Sequence, residues 1–205
     1  PSSDLYYTVF GMTVLAAFGV DFPADKTWDY LKGFGDGGNL DFVHLTCLLR
    51  CRAICGLLGK GDFSTGSENA VFARMGRFRA VSGGYNHIVE GAVTGSVYAN
   101  FLAYCAYGDC GLSAPDVEDI IRSVEKLKCP GGGYANEENM RTGTTTATAA
   151  AMVLLKDAGG EIDGSTIEWV LARCTERGGF VAGEDVKMPD LLSTGTALHA
   201  LKTVG

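Results

Sequence analysis

The sequence predicts an all-α fold built from repeated helix hairpins, and three observations lead there. The dipeptide Gly-Gly recurs at 37–38, 83–84, 132–133 and 178–179, at intervals of 46, 49 and 46 residues. An aromatic follows each of the last three pairs (Tyr85, Tyr134, Phe180), whereas the first is followed by Asn39. Each interval holds two helix-like stretches, the first apolar or small-residued and the second richer in charge. A fixed period of this length marks one supersecondary unit repeated along the chain.

The elements follow in order. Unit one pairs a helix over Leu5–Phe18 with one over Pro23–Leu31, and unit two pairs Asp41–Leu58 with Ser67–Val81. Unit three has an inner helix over Val93–Tyr107. Its outer helix begins at Ser113 with Pro115 in the first turn, where a missing N–H does no harm. In unit four Thr144–Leu155 is small and apolar (TTTATAAAMVLL) and suits a helix packed on all sides. The stretch Asp157–Gly164 breaks it, and Ser165 with Glu168 forms a capping box for a second helix through Trp169, Val170 and Leu171. That helix stops at Gly178-Gly179, where a left-handed turn favours residues without a side chain. A fifth unit starts at Asp190 and ends after one helix, around Leu191–Thr203. Four pairs and one helix make nine, about four and a half hairpins in a single domain over residues 1–205, incomplete at both ends. The second helices carry the charge (Glu118, Asp119, Arg122, Glu125, Lys126 and Lys128 in unit three), so the helices sort into an inner and an outer layer. Such repeats stack into an open solenoid or curve until the inner helices form a barrel.

Composition limits the function classes. The 205 residues are 46% hydrophobic and carry a formal net charge of −7, a balance that disfavours nucleic acid or an anionic membrane as main partner. No apolar run approaches the roughly 18–20 residues of a membrane span. Seven cysteines, an odd number scattered through helical stretches, predict reduced thiols and a cytoplasmic setting. With no signal peptide and Pro1 in first place, the expectation is a processed or partial chain.

Two stretches carry a family resemblance. Gly178–Leu201, GGFVAGEDVKMPDLLSTGTALHAL, resembles the repeat of protein prenyltransferase β subunits and the related squalene–hopene cyclases. Asp4–Leu15, DLYYTVFGMTVL, resembles the D-x-Y-H-T-x-F-G-L pattern of the same family, and Asp41-Phe42-Val43-His44 adds a third match. The resemblance implies an (α/α) toroid with an apolar central cavity for an isoprenoid chain, its mouth ringed by polar groups at inner-helix N-termini. Helix dipoles favour anions such as diphosphate at those N-termini. The prenyltransferases hold catalytic zinc through a D-x-C motif and the His of D-x-x-H. Here Asp190 matches the Asp, Leu192 stands in place of the Cys, and Asp41 with His44 matches D-x-x-H. Two ligands without a thiolate fall short of the three that catalytic zinc requires, so no cofactor is expected. Lys187 matches a lysine that helps hold diphosphate, while Glu184 replaces an arginine of the same task. In the cyclases the acid motif is D-x-D-D. The nearest string, Asp116-Val117-Glu118-Asp119, starts an outer helix, where acidic residues are common whatever the function.

The catalytic candidates are thus Asp41, His44 and Asp190, with Lys187, Tyr7, Asp4 and Ser193 as substrate-binding candidates. Hydroxyls at the inner-helix starts, such as Thr8, Ser96, Thr144 and Ser193, read equally as cavity groups or as caps. His44 reads as a cavity residue or as a satisfied buried group, His87 as a loop residue and His199 as packing. Cys47, Cys51 and Cys55 form an i, i+4, i+8 stripe, read as a soft-metal site or, preferably, as small apolar residues filling a helix seam. Two functions stay open: a prenyltransferase-like or cyclase-like protein binding an isoprenoid diphosphate, or a non-catalytic toroid serving as a lipid-binding, scaffold or interaction subunit. The second has a physical motive. The chain opens and closes on an inner-type helix, which leaves apolar flanks for a protein partner or for self-association.

Overall fold

A computed structural model describes residues 3–60 and 67–205. Among them the fold is all-α: α1 (Leu5–Ala17), α2 (Ala24–Lys32), α3 (Phe42–Leu57), α4 (Ser67–Gly76), α5 (Val97–Asp109), α6 (Val117–Glu125), α7 (Thr145–Ala158), α8 (Gly164–Leu171) and α9 (Leu191–Val204). The only β-type pairings among the described residues are isolated bridges. No helix there is long and apolar enough to cross a membrane. The chain divides into two compact units. Of the described residues, unit 1 comprises 3–60, 67–79, 87–91 and 102–114, and unit 2 comprises 80–86, 92–101 and 115–205.

Each unit is organised by one central helix. In unit 1, α3 packs against α1, α2 and α4. Its sequence is apolar on most faces, and ten of its sixteen residues are buried, Leu45, Leu48, Leu49 and Cys51 among them. Buried Arg52 of α3 donates to the carbonyls of Leu31 (3.3 Å) and Gly35 (2.7 Å), which pins the end of α2 to α3. Burial lowers the Arg52 pKa and Glu68, 3.8 Å away, works against that shift. The thiols of Cys47, Cys51 and Cys55 are all buried, and burial pushes Cys51 up to about 12 and Cys47 up to about 11. They stay protonated and pack as small apolar groups, which resolves the cysteine stripe as a helix seam.

In unit 2 the central helix is α7, packed against α6, α8 and α9. Nine of its fourteen residues are buried, and Met152 and Val153 join Trp169, Val170, Phe180, Ala197 and Ala200 in one apolar cluster. Arg173 caps that cluster with its guanidinium 4.4 Å from the centre of the Trp169 ring.

The glycine turns of unit 2 repeat atom for atom. In all three the N–H four residues before the second glycine donates to that glycine's carbonyl: Ala80 to Gly84 (3.0 Å), Cys129 to Gly133 (2.9 Å) and Thr175 to Gly179 (2.9 Å). The aromatic that follows uses its N–H on a polar side chain one turn into the next helix: Tyr85 on Asn100, Tyr134 on Thr148 and Phe180 on Thr194, each 2.9 Å. Its carbonyl then accepts from the residue that precedes the next helix, namely Ser96 (2.8 Å), Thr144 (3.0 Å) and Asp190 (3.2 Å). These bonds fix where each glycine turn meets its helix and pair the backbone groups named here.

Several helix ends differ from the sequence reading. The inner helix expected from Val93 starts at Val97, because Ser96 caps it through a 3.1 Å bond from the Ala99 N–H. The outer helix expected from Ser113 starts at Val117, behind Asp116 in the left-handed region at φ 53°. The capping box at Ser165 is displaced by Asp163. Its carboxylate accepts from the Thr166 N–H (2.9 Å) and takes the Ser165 hydroxyl as well (2.5 Å), since a carboxylate outcompetes a hydroxyl for helix N–H groups. The helix from Ser67 ends at Gly76 rather than running to Val81.

Candidate functional site

The structure brings three of the candidates together in unit 1. Asp4 precedes α1 and accepts from the N–H groups of Tyr6 (2.9 Å) and Tyr7 (3.2 Å). Asp41 precedes α3 and accepts from the His44 N–H (2.9 Å), as an N-cap carboxylate does. The same Asp41 oxygen meets His44 Nδ1 at 2.8 Å, and His44 Nε2 stands 3.5 Å from Asp4. Because α1 packs on α3, two helix caps face each other across one imidazole.

This arrangement sets the charge state. With a proton on Nδ1 toward Asp41, the neutral ring would turn a lone pair toward the Asp4 carboxylate. Protonation replaces that repulsion with a second attraction. Partial burial works to lower the His44 pKa, but the bond and charge of Asp41, followed by Asp4, outweigh it, so the pKa lies above its ordinary value. For Asp41 burial acts upward, and the His44 N–H, ring bond and charge overcome it to hold the carboxyl below its ordinary value.

Beside the cluster is a cavity of about 330 Å³ lined by Asp4, Leu5, Tyr30, Phe34, Leu40, Asp41 and His44, among others. Tyr30 and Phe34 meet edge to face at 5.0 Å. The Tyr30 hydroxyl is buried without a hydrogen-bond partner, and burial, then Asp4 and Cys51, raise its pKa. Sequence reasoning missed Tyr30 because it belongs to an outer helix, read as the charged and solvated layer. Its one sequence signal is the Phe34 one turn on.

The other candidates are placed differently. Tyr7 is 76% exposed on α1. Asp190, in unit 2, caps α9: one carboxylate oxygen accepts from the Ser193 N–H (2.8 Å) and the other from the Ser193 hydroxyl (2.7 Å). The Ser193 N–H, followed by its hydroxyl, holds the Asp190 carboxyl below its ordinary pKa. Ser193 is buried with its hydroxyl committed to that cap, whereas Lys187 and Glu184 are exposed. Asp116, Glu118 and Asp119 lie at the start of α6, with Asp119 paired to Arg122, and His199 is exposed on α9 rather than packed.

Chemically, the His44 cluster is an imidazole held between two carboxylates. Both ring nitrogens are directed at oxygens, so the ring offers no lone pair outward. Among the described residues no group of three His, Cys, Asp or Glu side chains is disposed to hold a metal ion. With the ring protonated, two carboxylates against one cation leave the site net negative, the wrong sign for diphosphate and the right one for a cationic or hydrogen-bond-donating group. No protein-family model matches the sequence, and no curated protein matches it.

Proposed function

We propose that this chain works by association, as a helical-repeat module whose helices α1 and α9 are docking surfaces in a larger assembly. One observation carries the reading. Helix α1 has no charged residue and is apolar all round, the pattern of a helix surrounded by neighbours, yet only Leu5, Val9 and Met12 are buried. Tyr7, Phe10, Val14 and Phe18 form an exposed stripe at helical spacing. Helix α9 repeats the mismatch, burying only Ser193, Ala197 and Ala200 while Leu191, Leu192 and Leu198 stand exposed. Apolar surface of this kind marks an interaction site. Amide hydrogen exchange on the dilute full chain tests the reading. The α1 amides should exchange much faster than those of α3 and slow when a partner docks. Equal protection of α1 and α3 in the isolated chain would overturn it.

The second reading is the isoprenoid-binding protein that the family resemblance implies. A specific observation favours it: the polar Asp4–His44–Asp41 cluster adjoins a cavity with Phe34 and Leu40, and the apolar stripe of α1 begins within one turn of Asp4. That is a head-and-tail arrangement for an amphiphile. The charge of the cluster favours a hydroxyl or cationic head over a diphosphate. Calorimetric titration with farnesol and with farnesyl diphosphate checks it. Farnesol binding that weakens in His44→Gln supports the reading, and no heat with either ligand removes it.

A further inference from the structure

We propose that the cavity beside the Asp4–His44–Asp41 cluster binds a small organic cation, a primary ammonium group carried on a short alkyl chain. Such a site is independent of the docking role of α1 and α9, and its ligand is of a different class from an isoprenoid. Charge is the first feature that selects this chemistry. Of the residues lining the cavity, Asp4 and Asp41 are acidic, His44 is the single basic one, and no lysine or arginine is among them. Even with the imidazole protonated the wall keeps a net negative charge, so it attracts cations and repels phosphates. Both bonds from His44 to Asp41 fall on one oxygen, Oδ1, and the Asp41 side chain is 61% exposed. Its carboxylate therefore keeps open surface for a further donor.

The second feature is an unused hydroxyl. Tyr30 lines the cavity, and its hydroxyl is buried without a hydrogen-bond partner. Buried polar atoms nearly always have one, and a phenol oxygen can accept from an ammonium N–H. Burial, then the charge of Asp4, raises the Tyr30 pKa, so the phenol stays neutral and lies within the field of that carboxylate. An ammonium group beside it would satisfy the oxygen and offset the carboxylates together. The third feature is an apolar wall. Phe34 and Leu40 line the same cavity, and the Tyr30 and Phe34 rings meet edge to face at 5.0 Å. Aromatic faces attract cations, and apolar surface takes an alkyl chain out of water. A bare inorganic ion would gain little from that wall, and among the described residues no group of three His, Cys, Asp or Glu side chains is disposed to hold a metal. At about 330 Å³ the cavity lies at the lower end of ligand pockets, which keeps the ligand small. Carboxylates this exposed hold a cation weakly, so the dissociation constant should be about millimolar.

Amide NMR titration of the full chain at about pH 6, where the imidazole is charged, tests this with hexylamine. The controls are 1-hexanol, which has the chain without the charge, and ammonium chloride, which has the charge without the chain. Hexylamine should shift the Tyr30, Asp41 and His44 amides saturably, at concentrations where neither control does. Asp41→Asn should weaken binding about two- to fivefold, since an amide oxygen keeps the helix cap while the charge goes. Tyr30→Phe should weaken it too and leave the urea midpoint unchanged or higher, because the lost hydroxyl had no partner. His44→Gln should tighten binding about two- to fivefold by removing the cation already there. Nα-acetyllysine amide separates the sources of the group: binding as tight as that of hexylamine marks a lysine side chain as a ligand, and hexylamine binding alone marks a free amine. Equal shifts with either control overturn the proposal. So does hexylamine binding that ignores Asp41→Asn or Tyr30→Phe, or that weakens in His44→Gln. Farnesol binding, by contrast, should weaken in His44→Gln, so the two ligand classes differ in sign. Farnesol binding without hexylamine binding keeps the isoprenoid reading and overturns this one, and hexylamine binding without farnesol binding does the reverse.

Discussion

The three glycine turns of unit 2 and the single one of unit 1 begin from the same dipeptide and end differently. At Gly83-Gly84, Gly132-Gly133 and Gly178-Gly179 both glycines have positive φ, and the following aromatic is tied to Asn100, Thr148 or Thr194. At Gly37-Gly38 only Gly37 has positive φ, and Asn39 replaces the aromatic. Four residues after the helix cap, where the tie would be, stands Leu45, whose side chain already presses on Gly37 at 2.6 Å from a would-be Cβ. Unit 1 thus gives up the tie and fills its place with an apolar side chain. Its polar connections are instead the Arg52 bonds to the Leu31 and Gly35 carbonyls and the Asp4–His44–Asp41 bridge between α1 and α3. Turns locked by hydrogen bonds to a side chain of the next helix give unit 2 its regular spacing. Unit 1 relies on packing around α3, on the Arg52 bonds and on a bridge that titrates.

The largest effect that would break this comparison is at Gly133. Its φ is +70°, and an added Cβ would sit 2.8 Å from the Thr148 hydroxyl and 3.0 Å from the Trp169 ring. Gly133→Ala should cost about 2–4 kcal/mol of unit 2 stability, from left-handed strain plus the clash with a packed ring. The matched change, Gly38→Ala, meets only the side chains of Asp36 at 3.3 Å and Arg74 at 3.4 Å, an exposed pair free to shift. It should cost under about 1 kcal/mol. Urea unfolding of the two variants, followed by Trp169 and Trp28 fluorescence, reads the contrast, and equal losses would erase the distinction between the turns.

A smaller effect sharpens it. Thr148→Val keeps the shape and removes the acceptor, leaving the buried Tyr134 N–H unpaired at a cost of about 1–3 kcal/mol. The loss should appear in unit 2 and leave unit 1 unchanged, which exchange protection of the Tyr134 amide against that of α3 would show.

The sequence carried the repeat because glycine pairs and the inner–outer asymmetry are backbone necessities. The helices of the described residues and the seam role of Cys51 follow from such local rules, whereas the caps Asp4, Asp41 and Asp190 read as site residues until the structure placed them. The ties were legible in hindsight: Asn100, Thr148 and Thr194 stand four residues after Ser96, Thr144 and Asp190, one helical turn inside each cap. What stayed hidden depends on neighbours far off in sequence. Asp4 lies forty positions before His44, and only the packing of α1 on α3 makes them partners. The D-x-x-H string likewise reads as a ligand motif until Asp41 is seen capping α3 with one oxygen that also holds the ring. Asp190 and Ser193 have the same spacing and the same cap. A serine fills the third place there, so unit 2 has the cap without the imidazole.

That substitution gives the two units different responses to pH. The folded His44 pKa is raised above its unfolded value near 6.5, so the contribution of the bridge is full below about pH 6.5. It is lost as pH rises through the folded pKa. Asp41 has the opposite sign: its folded pKa is depressed, so its contribution is present above the ordinary carboxylate range and fades as pH falls through the folded value. The tie between α1 and α3 is therefore strongest in mildly acidic solution and weakens toward alkaline pH, by under about 1 kcal/mol because the carboxylates are well exposed. His87, also in unit 1, pulls the other way. Burial lowers its pKa and Asp41 only partly offsets this, so its contribution grows as pH rises. The difference between the unaltered chain and His44→Gln isolates the bridge. Exchange protection of α1 should fall as pH rises above about 6.5 in the former and stay level or rise slightly in the latter. In unit 2, protection of α9 should show no matching fall, since the cap Asp190 accepts from a serine there and not from an imidazole. A parallel fall in α9, or an α1 profile unchanged by His44→Gln, would mean that the imidazole does not tie α1 to α3.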